Sequence, residues 1–429
     1  MSKSLFVMPL AAIYLFAGFL TCGYSAGEPS AQNLDEWMSS THKELTTNIL
    51  PFWISYCQDN KYGGFIGKMQ SDRTLIADAP KGLVLNARIL WTFSAAHRYQ
   101  EKPEYLQMAN RAYDYLMEYF WDKEHGGAFW MLDYRGKPTD DSKELYGQSF
   151  LIYSLAEYHL ASNHAAALDK AKGLFNLVEK HCHDDVNKGY YETCRRDWSI
   201  APAARLASGA ANEKKTMNTH LHLLEAYTNL YRAWKDDKLR QRLEELVTVF
   251  TDHIIDPQTW HFKLFFDEKW NSTKPIVSYG HDIEGTWLLC EAADVLGDKN
   301  LEERIGAIAL KMAEAVLKEG LDKDGGLLYE GELGKITNAQ KHWWPQAEAI
   351  VGFLNAYQLS NKDSFLEASQ LCWQFTQANI VDKQNGEWFA VASERGIAPS
   401  AMKVSEWKGP YHNGRACLEI IRRLKEIRN

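Results

Sequence analysis

The chain has 429 residues, a formal net charge of −8 and 45% hydrophobic residues. Lys and Arg form no cluster, so the composition argues against nucleic acid as a partner, because phosphate binding depends on clustered positive charge. Aromatic residues make up 13% of the chain, including 15 Trp and 21 Tyr. This abundance favours a ligand that stacks on rings, such as a sugar.

The first thirty residues have the pattern of a bacterial export signal. Lys3 supplies a positive charge, an apolar stretch runs from Leu5 to Leu20, and small and polar residues follow. We therefore predict that residues 1–27 form a signal peptide, with a buried core helix as the alternative. Cys22 resembles a lipoprotein cleavage site, although the Thr before it fits such a site poorly. The predicted location is the periplasm, or the outer membrane through a lipid on Cys22.

A Gly-aromatic pattern divides the rest of the chain into units. Its copies begin at Gly63, Gly126, Gly189, Gly325 and Gly386. The long interval between the third and fourth copies contains Asp256-Pro257 and then Trp260-His261-Phe262, which restores a sixth copy without its glycine. The chain is therefore predicted to contain six units of roughly sixty residues each.

Each unit also contains two kinds of helical pattern. One kind is amphipathic, as in Pro103 to Phe120 and Leu239 to Ile254. The other is apolar on nearly every side, and such a helix must be buried. Six amphipathic helices alternating with six buried ones predict an all-α fold, an (α/α)6 barrel with short Gly-aromatic hairpins, formed by residues 34–429 as one catalytic domain. An open solenoid is the alternative, but it would need polar caps that the sequence does not show.

Polar residues stand near the start of each buried helix, at Arg88, Gln148, His220, His281, Gln346 and His412. In a closed ring of helices all six starts open at the same end, so we expect these side chains to line one funnel. The helix N-termini add positive potential at its floor. Three His and one Arg at related positions of a repeat favour a shared site over separate capping or surface groups.

Two further clusters extend the predicted site. Glu284 and Trp287 follow His281 by three and six residues, so Glu284 lies beside His281 on one helix face. A Trp pair is expected to precede a helix whose fourth residue is Glu348, and Trp407 precedes His412. These neighbours favour substrate-binding carboxylates over solvated ones.

Cysteine spacing gives no metal signature. Cys57, Cys290, Cys372 and Cys417 are read as small buried hydrophobic residues, whereas Cys182 and Cys194 could pair across a hairpin. No zinc spacing and no phosphate loop is present, so neither a metal nor a nucleotide cofactor is expected.

Four strings of the sequence resemble a known family. They are Asn-Thr-His-Leu-His-Leu-Leu-Glu-Ala-Tyr (218–227), Gly-His-Asp-Ile-Glu (280–284), Trp-Trp-Pro-Gln-Ala-Glu (343–348) and Trp-Lys-Gly-Pro-Tyr-His-Asn (407–413). With them the chain resembles the cellobiose 2-epimerases of the N-acylglucosamine 2-epimerase superfamily, over nearly its whole length after the leader. The leader is a departure, since such epimerases are commonly considered intracellular.

The resemblance implies a cofactor-independent enzyme that inverts C2 of the reducing-end sugar of a β-1,4-linked disaccharide such as cellobiose, lactose or mannobiose. It implies that His281 and His412 are the acid/base pair, and that His220 and Arg88 support the reacting carbons. The predicted substrate-binding residues are Asn218, Glu284, Trp287, Trp344, Glu348 and Trp407. The expected partner is the disaccharide alone, with the protein a monomer or weak dimer.

The chemistry of an aldose explains why such residues are needed. C2 is acidic only when the ring is open, so the site must first open the hemiacetal and then remove H2 to form an enediolate. Inversion requires the proton to return on the opposite face, so either one base moves or two bases face each other across the carbon. A His reference pKa of ~6.5 would let one ring be neutral and the other protonated near neutral pH. Arg88 would stabilise the enediolate oxygens, a role in which a lost donor can cost about 3 kcal/mol.

Two alternatives belong to other functional classes. A glycoside hydrolase would use two facing carboxylates from among Asp282, Glu284 and Glu348, but three His around one funnel are not what glycosidic cleavage requires. A sugar-binding or scaffold protein would need only the stacking Trp residues.

Overall fold

A computed structural model describes residues 31–201, 213–332, 334–393, 396–397 and 401–429. The predicted signal peptide, with Cys22, lies outside the described residues. The α-helices in these ranges are α1 (Ala31–Lys43), α2 (Leu50–Tyr56), α3 (Leu83–Tyr99), α4 (Pro103–Tyr115), α5 (Leu145–Ser162), α6 (Ala165–His181), α7 (Met217–Ala233), α8 (Asp237–Val249), α9 (Tyr279–Leu296), α10 (Lys299–Glu319), α11 (Trp343–Ser360), α12 (Asp363–Asn379) and α13 (Tyr411–Arg428). Short π-helical segments extend three of the outer helices, at Glu44–Ile49, Leu116–Phe120 and Phe250–Ile254.

The strands are short and form six small antiparallel sheets. They are β1 (Lys68–Gln70), β2 (Leu75–Ile76), β3 (Lys81–Gly82), β4 (Met131–Leu132), β5 (Pro138–Asp140), β6 (Lys143–Glu144), β7 (Thr193–Cys194), β8 (Lys215–Thr216), β9 (Phe265–Phe266), β10 (Ile276–Ser278), β11 (Glu330–Glu332), β12 (Lys335–Asn338), β13 (Lys341–His342), β14 (Val391–Ser393), β15 (Gly396–Ile397) and β16 (Met402–Val404). The strand before each inner helix pairs with the strand after the hairpin of the next unit. The strand before the last inner helix, β16, pairs with β1 of the first unit.

Burial separates the helices into two layers. Every residue of α5 from Leu145 to Tyr158 is buried, and so is every residue of α11 from Trp343 to Tyr357. The outer helices bury one face only, as α8 does with Leu239, Leu243 and Leu246, the spacing of an amphipathic helix. None of the described helices combines the length and apolarity needed to span a membrane.

The inner helices close into a ring. α3, α5, α7, α9, α11 and α13 contact one another in that order, and α13 also contacts α3. At the hairpin end β16 pairs with β1, with Met69 opposite Val404. The prediction of an (α/α)6 barrel is therefore confirmed, and the open solenoid is wrong because the last unit packs against the first.

All six predicted hairpins are present. After each outer helix a single antiparallel bridge pins the turn, from Gln58 with Phe65 in the first unit to Val381 with Trp388 in the last. In the copy without glycine, Ile255 still bridges Phe262, and Trp260 adopts a left-handed φ of 63°. At Gly127, where φ is 68°, an added Cβ would lie 2.5 Å from a Trp198 ring atom, so this turn requires glycine.

A buried lysine ties five of the six hairpins to the next inner helix. It stands two residues before the helix in four units and on β16 in the last unit, and its ammonium binds the Asp that begins the hairpin turn. The pairs are Lys81 with Asp59, Lys143 with Asp122, Lys215 with Asp184, Lys341 with Asp322 and Lys403 with Asp382. In the remaining unit Val277 takes the lysine position, opposite Asp256.

Cys182 and Cys194 lie next to each other as free thiols. Their Sγ atoms are 3.5 Å apart, with both side chains fully buried. The hairpin geometry expected for this pair is therefore present without a disulfide bond.

Candidate active site

Two sets of side chains project from the inner helices in opposite directions. The fourth residues of α5, α7, α9 and α11 form the hairpin-facing set, Gln148, His220, Asp282 and Gln346. The sixth residues of α3, α7, α9 and α11 form the axis-facing set, Arg88, His222, Glu284 and Glu348. Side chains two residues apart point about 200° apart around a helix, so one set contacts the hairpins and the other meets at the barrel centre.

The hairpin-facing set satisfies hairpin backbone. Gln148 accepts the N–H of Ala128 at 2.9 Å and donates to its carbonyl at 2.8 Å. Gln346 makes the same pair of bonds with Leu327 at 2.7 and 2.9 Å. The expectation that Gln148 and Gln346 line the funnel was wrong. Each side-chain amide instead pairs with the N–H and the carbonyl of one hairpin residue.

His220 belongs to the same set. Its Nδ1–H donates to the Thr216 carbonyl at 2.7 Å, and its Nε2 accepts the Tyr190 N–H at 2.9 Å. Burial lowers the pKa of His220 to about 3. With both nitrogens engaged by backbone, the structure does not bring His220 beside Arg88 or into the central cluster, contrary to its expected place at the reacting carbons.

His222 occupies the central position instead, and the sequence analysis missed it. Its Nδ1 lies 3.0 Å from Glu225 Oε2, and its ring packs 5.0 Å from the ring of Tyr146. Asn218, one helical turn earlier, has a buried Oδ1 with no partner among the described residues. The spacing of Asn218, His222 and Glu225 along one helix face was the signal that could have identified this histidine.

His412 is the second residue of α13, and its side chain is held by a carboxylate. Its Nδ1 lies 2.7 Å from Glu348 Oε1, which places the proton on Nδ1 when the carboxylate is ionised. Burial, together with the nearby charges of Arg88 and Arg415, lowers the pKa of His412 well below its usual value. His412 is therefore a neutral ring at neutral pH, with Nε2 available as a base.

His281 packs against the ring of Trp344, which the ring of His412 also contacts. Its Nδ1 lies 2.7 Å from Ser278 Oγ, and its ring lies 4.5 Å from Trp344, which is 5.7 Å from the ring of His412. Burial lowers the pKa of His281 to about 3. The expectation that one of the two rings is protonated near neutral pH is corrected, because burial keeps both neutral. Among the described residues, none forms a hydrogen bond with Nε2 of His281 or His412.

Three buried carboxylates share one arginine, a second feature that the sequence analysis missed. Arg415 Nη1 donates to Glu225 and to the Tyr411 hydroxyl, and Nη2 donates to Glu284 at 2.6 Å and Glu348 at 2.8 Å. Burial and the charge of Glu348 raise the pKa of Glu284 to about 7. Arg415 follows His412 by three residues, the same spacing as that between His281 and Glu284, and this spacing could have pointed to Arg415. The meeting of the three glutamates depends on the fold and could not be read from spacing.

Arg88 lies in the central cluster, as predicted. Its Nη1 donates to the Trp407 carbonyl at 2.6 Å and its Nη2 to the Tyr146 hydroxyl at 2.9 Å. The guanidinium lies 4.4 Å above the ring of Phe150. These contacts fix its orientation at the barrel centre.

The predicted tryptophans occupy three different places. Trp344 contacts the rings of both His281 and His412. Trp407 is 37% exposed and packs 5.8 Å from the ring of Trp130, so it forms an aromatic rim. Trp287 is buried behind the carboxylates, where its Nε1 donates to Glu348 at 3.2 Å and its ring packs against Arg415. The structure thus places Trp287 behind Glu348 instead of at an open surface.

One group of side chains has spacing suited to a metal. Ligand atoms of Glu284, Glu348 and His412 lie within 4.8 Å of one another. The guanidinium of Arg415 already donates to both glutamates from a single nitrogen, so these carboxylates have their cation. The absence of a metal cofactor stays a prediction.

Comparisons with known proteins identify the family of this chain. The model of the N-acylglucosamine 2-epimerase (GlcNAc 2-epimerase) family matches residues 64–416. A cellobiose 2-epimerase of Bacteroides fragilis is 47% identical over 382 residues, covering 88% of this chain and 97% of that protein. The solved cellobiose 2-epimerase of Bacillus thermoamylovorans B4167 has a TM-score of 0.86 at 39% identity, covering 91% of this chain and 100% of that one. The chain therefore belongs to the N-acylglucosamine 2-epimerase family and is a carbohydrate epimerase.

Proposed function

We propose that the enzyme inverts C2 of the reducing-end sugar of a β-1,4-linked disaccharide, with cellobiose, lactose and mannobiose as candidates. The observation that carries this proposal is the pair of neutral histidines, His281 and His412, on different inner helices and packed against the same Trp344 ring. Two bases that approach one carbon from different helices are what inversion requires.

The proposed reaction begins with opening of the sugar ring. A base takes the O1 proton while an acid delivers a proton to the ring oxygen, which frees the C1 aldehyde. Glu284 is suited to be the acid, because its pKa of about 7 lets a large fraction carry a proton at neutral pH. His222 takes the ring-opening or orienting role first expected of His220, since it lies in the cluster.

Deprotonation and inversion follow at C2. One of His281 and His412 removes H2, and the electron pair moves into the C1 carbonyl to give an enediolate. The other, protonated during ring opening, returns a proton to the opposite face of C2. Arg88 stabilises the enediolate oxygens by its fixed charge, and this is the transition-state interaction that gives the largest catalytic benefit.

The disaccharide preference is proposed from the rim and from the relatives. The half-exposed Trp407 with Trp130 offers a stacking surface next to Arg88, where a second sugar unit would lie. Relatives named cellobiose 2-epimerase are 36% to 47% identical to this chain. A rim made of rings favours a sugar face over a particular hydroxyl pattern, so we expect activity on several β-1,4-disaccharides.

The test is incubation of the leaderless protein with cellobiose, lactose and mannobiose in D2O, followed by NMR. The proposal predicts a C2 epimer that carries deuterium at C2 while the β-1,4 link stays intact. No deuterium at C2 of any of the three disaccharides would reject it.

A glycoside hydrolase is disfavoured by the arrangement of the carboxylates. Glu284 and Glu348 accept hydrogen bonds from the same nitrogen of Arg415, so they lie side by side and not across a scissile bond. Asp282 accepts the Phe262 N–H at 2.8 Å in the hairpin-facing set. An increase in reducing ends during incubation would favour hydrolysis.

The leader supports a proposal about location. We propose that the enzyme is exported either to the periplasm or, through a lipid on Cys22, to the outer membrane, and that it acts there as a monomer or weak dimer. Cell fractionation that found full-length protein in the cytosol would reject this.

A further inference from the structure

Arg415 forms four hydrogen bonds at the barrel centre, all of them to other side chains of the cluster. It is 2% exposed, and its two terminal nitrogens bind Glu225, Glu284, Glu348 and the Tyr411 hydroxyl. The ring of Trp287 covers the guanidinium at 4.5 Å. Two of the three carboxylates in turn hold histidines of the cluster, since Glu225 binds His222 and Glu348 binds His412.

The charge on Glu348 decides which nitrogen of His412 carries the proton. An ionised carboxylate accepts the Nδ1–H and leaves a lone pair on Nε2. A protonated carboxyl group donates to Nδ1 instead, and the ring proton then sits on Nε2, where it blocks the base. The same logic applies to His222 and Glu225.

Burial opposes the ionised form of these carboxylates. The charged and titratable groups that face Glu348, its neighbour Glu284 or its partner His412 are Arg88, His222, Glu225, His281 and Arg415, with the Tyr411 hydroxyl beside Arg415. Burial raises the pKa of Glu348, and Arg415 is the largest influence that lowers it again. Its guanidinium is the group that donates hydrogen bonds to all three carboxylates.

We propose that Arg415 is a positioning residue for the reaction: by binding three carboxylates at once it keeps Glu348 ionised and so keeps Nε2 of His412 free of a proton. The inference rests on the proposed function for its kinetic consequence. Its structural consequence, the tautomer of His412, exists without substrate.

The experiment compares Arg415→Met and Arg415→Lys with Arg423→Met as the matched control. Arg423 is a buried arginine on the same helix, also packed against Trp287 at 6.0 Å, but it binds Asn355 and Gln358 instead of the cluster. We expect Arg415→Met to lower kcat by about 10²-fold or more, the range for losing a general base, with KM little changed. The acidic limb of the kcat profile should move to higher pH, and Arg415→Lys should show a smaller shift in the same direction.

The tautomer is read separately by ¹⁵N NMR of histidine-labelled protein without substrate. Wild type should show His412 protonated on Nδ1, and Arg415→Met should show it protonated on Nε2. If Arg415→Met does not fold, Arg415→Lys must still show the pH shift and a mixture of tautomers. An unchanged tautomer, or a pH profile that parallels wild type, would overturn the inference. A wild type that fails to exchange C2 but shows the expected tautomers would reject the proposed function alone.

Discussion

The fourth and sixth residues of the inner helices both carry polar side chains, but these side chains do different things. Gln148 and Gln346 at the fourth position bind hairpin backbone through both ends of their amides, and His220 joins the hairpin N–H of Tyr190 to the Thr216 carbonyl before its own helix. Arg88 and His222 at the sixth position meet the barrel centre and keep donors or acceptors available. A polar residue that recurs in every unit of a repeat is therefore not evidence of a shared site, because each unit has its own buried backbone to satisfy.

Energetics explain why both sets are present. A buried backbone group without a partner costs about 1–3 kcal/mol, so the hairpin-facing set stabilises each unit separately. The axis-facing set does the reverse: together with Glu225, His412 and Arg415 it brings three carboxylates, two histidines and two arginines into one buried space. Such a cluster is tolerated only where charges and hydrogen bonds compensate one another.

The largest expected effect is the loss of epimerase activity when either histidine that contacts Trp344 is replaced. Changing His281 or His412 to Asn should abolish net epimerisation, because inversion needs a base on each face of C2. One variant should still exchange deuterium into C2 of one epimer, and the other variant only into the opposite epimer, as NMR in D2O would show. If either variant stays within about tenfold of wild type, less than the 10²–10⁴ typical of a general acid–base group, that residue is not one of the two bases.

Removing one of the buried lysines that hold the hairpins should lower stability without lowering catalytic activity. Lys215 is fully buried, and its ammonium binds Asp184 at 2.8 Å and the carbonyls of Lys188 and Glu268. Lys215→Met leaves Asp184 buried without its cation, so we expect the free energy of unfolding to fall by about 3 kcal/mol. Urea unfolding measures this, and kcat well below the unfolding midpoint should be nearly unchanged. A large fall in kcat with unchanged stability would contradict the separation between residues that support the hairpins and residues that support catalysis.

A pH dependence of stability also belongs to the scaffold. Burial raises the pKa of Glu192 from 4.5 to about 8, against hydrogen bonds from Thr219 and Thr216. The folded protein therefore holds a proton that the unfolded chain releases, and this contribution to stability is lost as pH rises from about 4.5 through about 8. Glu192→Gln keeps the acceptor for Thr219 and removes the titration. Its unfolding free energy should gain on that of wild type as pH increases, and a constant difference between the two would contradict the assignment.

The smallest expected effect comes from the unit without a lysine. Val277 stands where four other units have a lysine two residues before the inner helix, and a surface cavity of about 870 Å³ opens beside Val277 and Asp256. Val277→Lys should place an ammonium against Asp256 and stabilise the protein by up to about 1 kcal/mol, because the site is open to solvent. Thermal unfolding measures the gain, with Val277→Met as the control for added length alone. A gain equal to that of the control would show that the Asp makes no pair.

The fold was predictable because its signals are local and repeated. The hairpin period and the alternation of amphipathic and apolar helices both survive in the structure, and even the copy at Asp256 that lacks glycine keeps its turn. Among the central residues, Arg88, Glu284, Glu348, His281 and His412 were found from motifs and helix starts.

Which side of each inner helix faces the barrel centre was not predictable from the sequence. A helix that is buried on every side has no polar face to set its rotation, so His220 and His222 could not be told apart by periodicity. The bond between Arg415 and Glu225 joins residues 190 positions apart, and no spacing within one helix reveals such a contact. What the sequence lacked was the rotation of each helix about its axis.

The same substitution at two neighbouring histidines tests that rotation most directly. His220→Gln and His222→Gln are to be compared for epimerase activity and unfolding free energy. Gln already fills the His220 position in two sister units, as Gln148 and Gln346, so His220→Gln should keep the fold and stay within about tenfold of wild-type activity, below the loss of an acid–base group. His222→Gln should fold normally and lose activity by about 10²-fold or more. The opposite pattern, with His222→Gln active and a folded His220→Gln inactive, would contradict the division of the inner helices into an axis-facing and a hairpin-facing set.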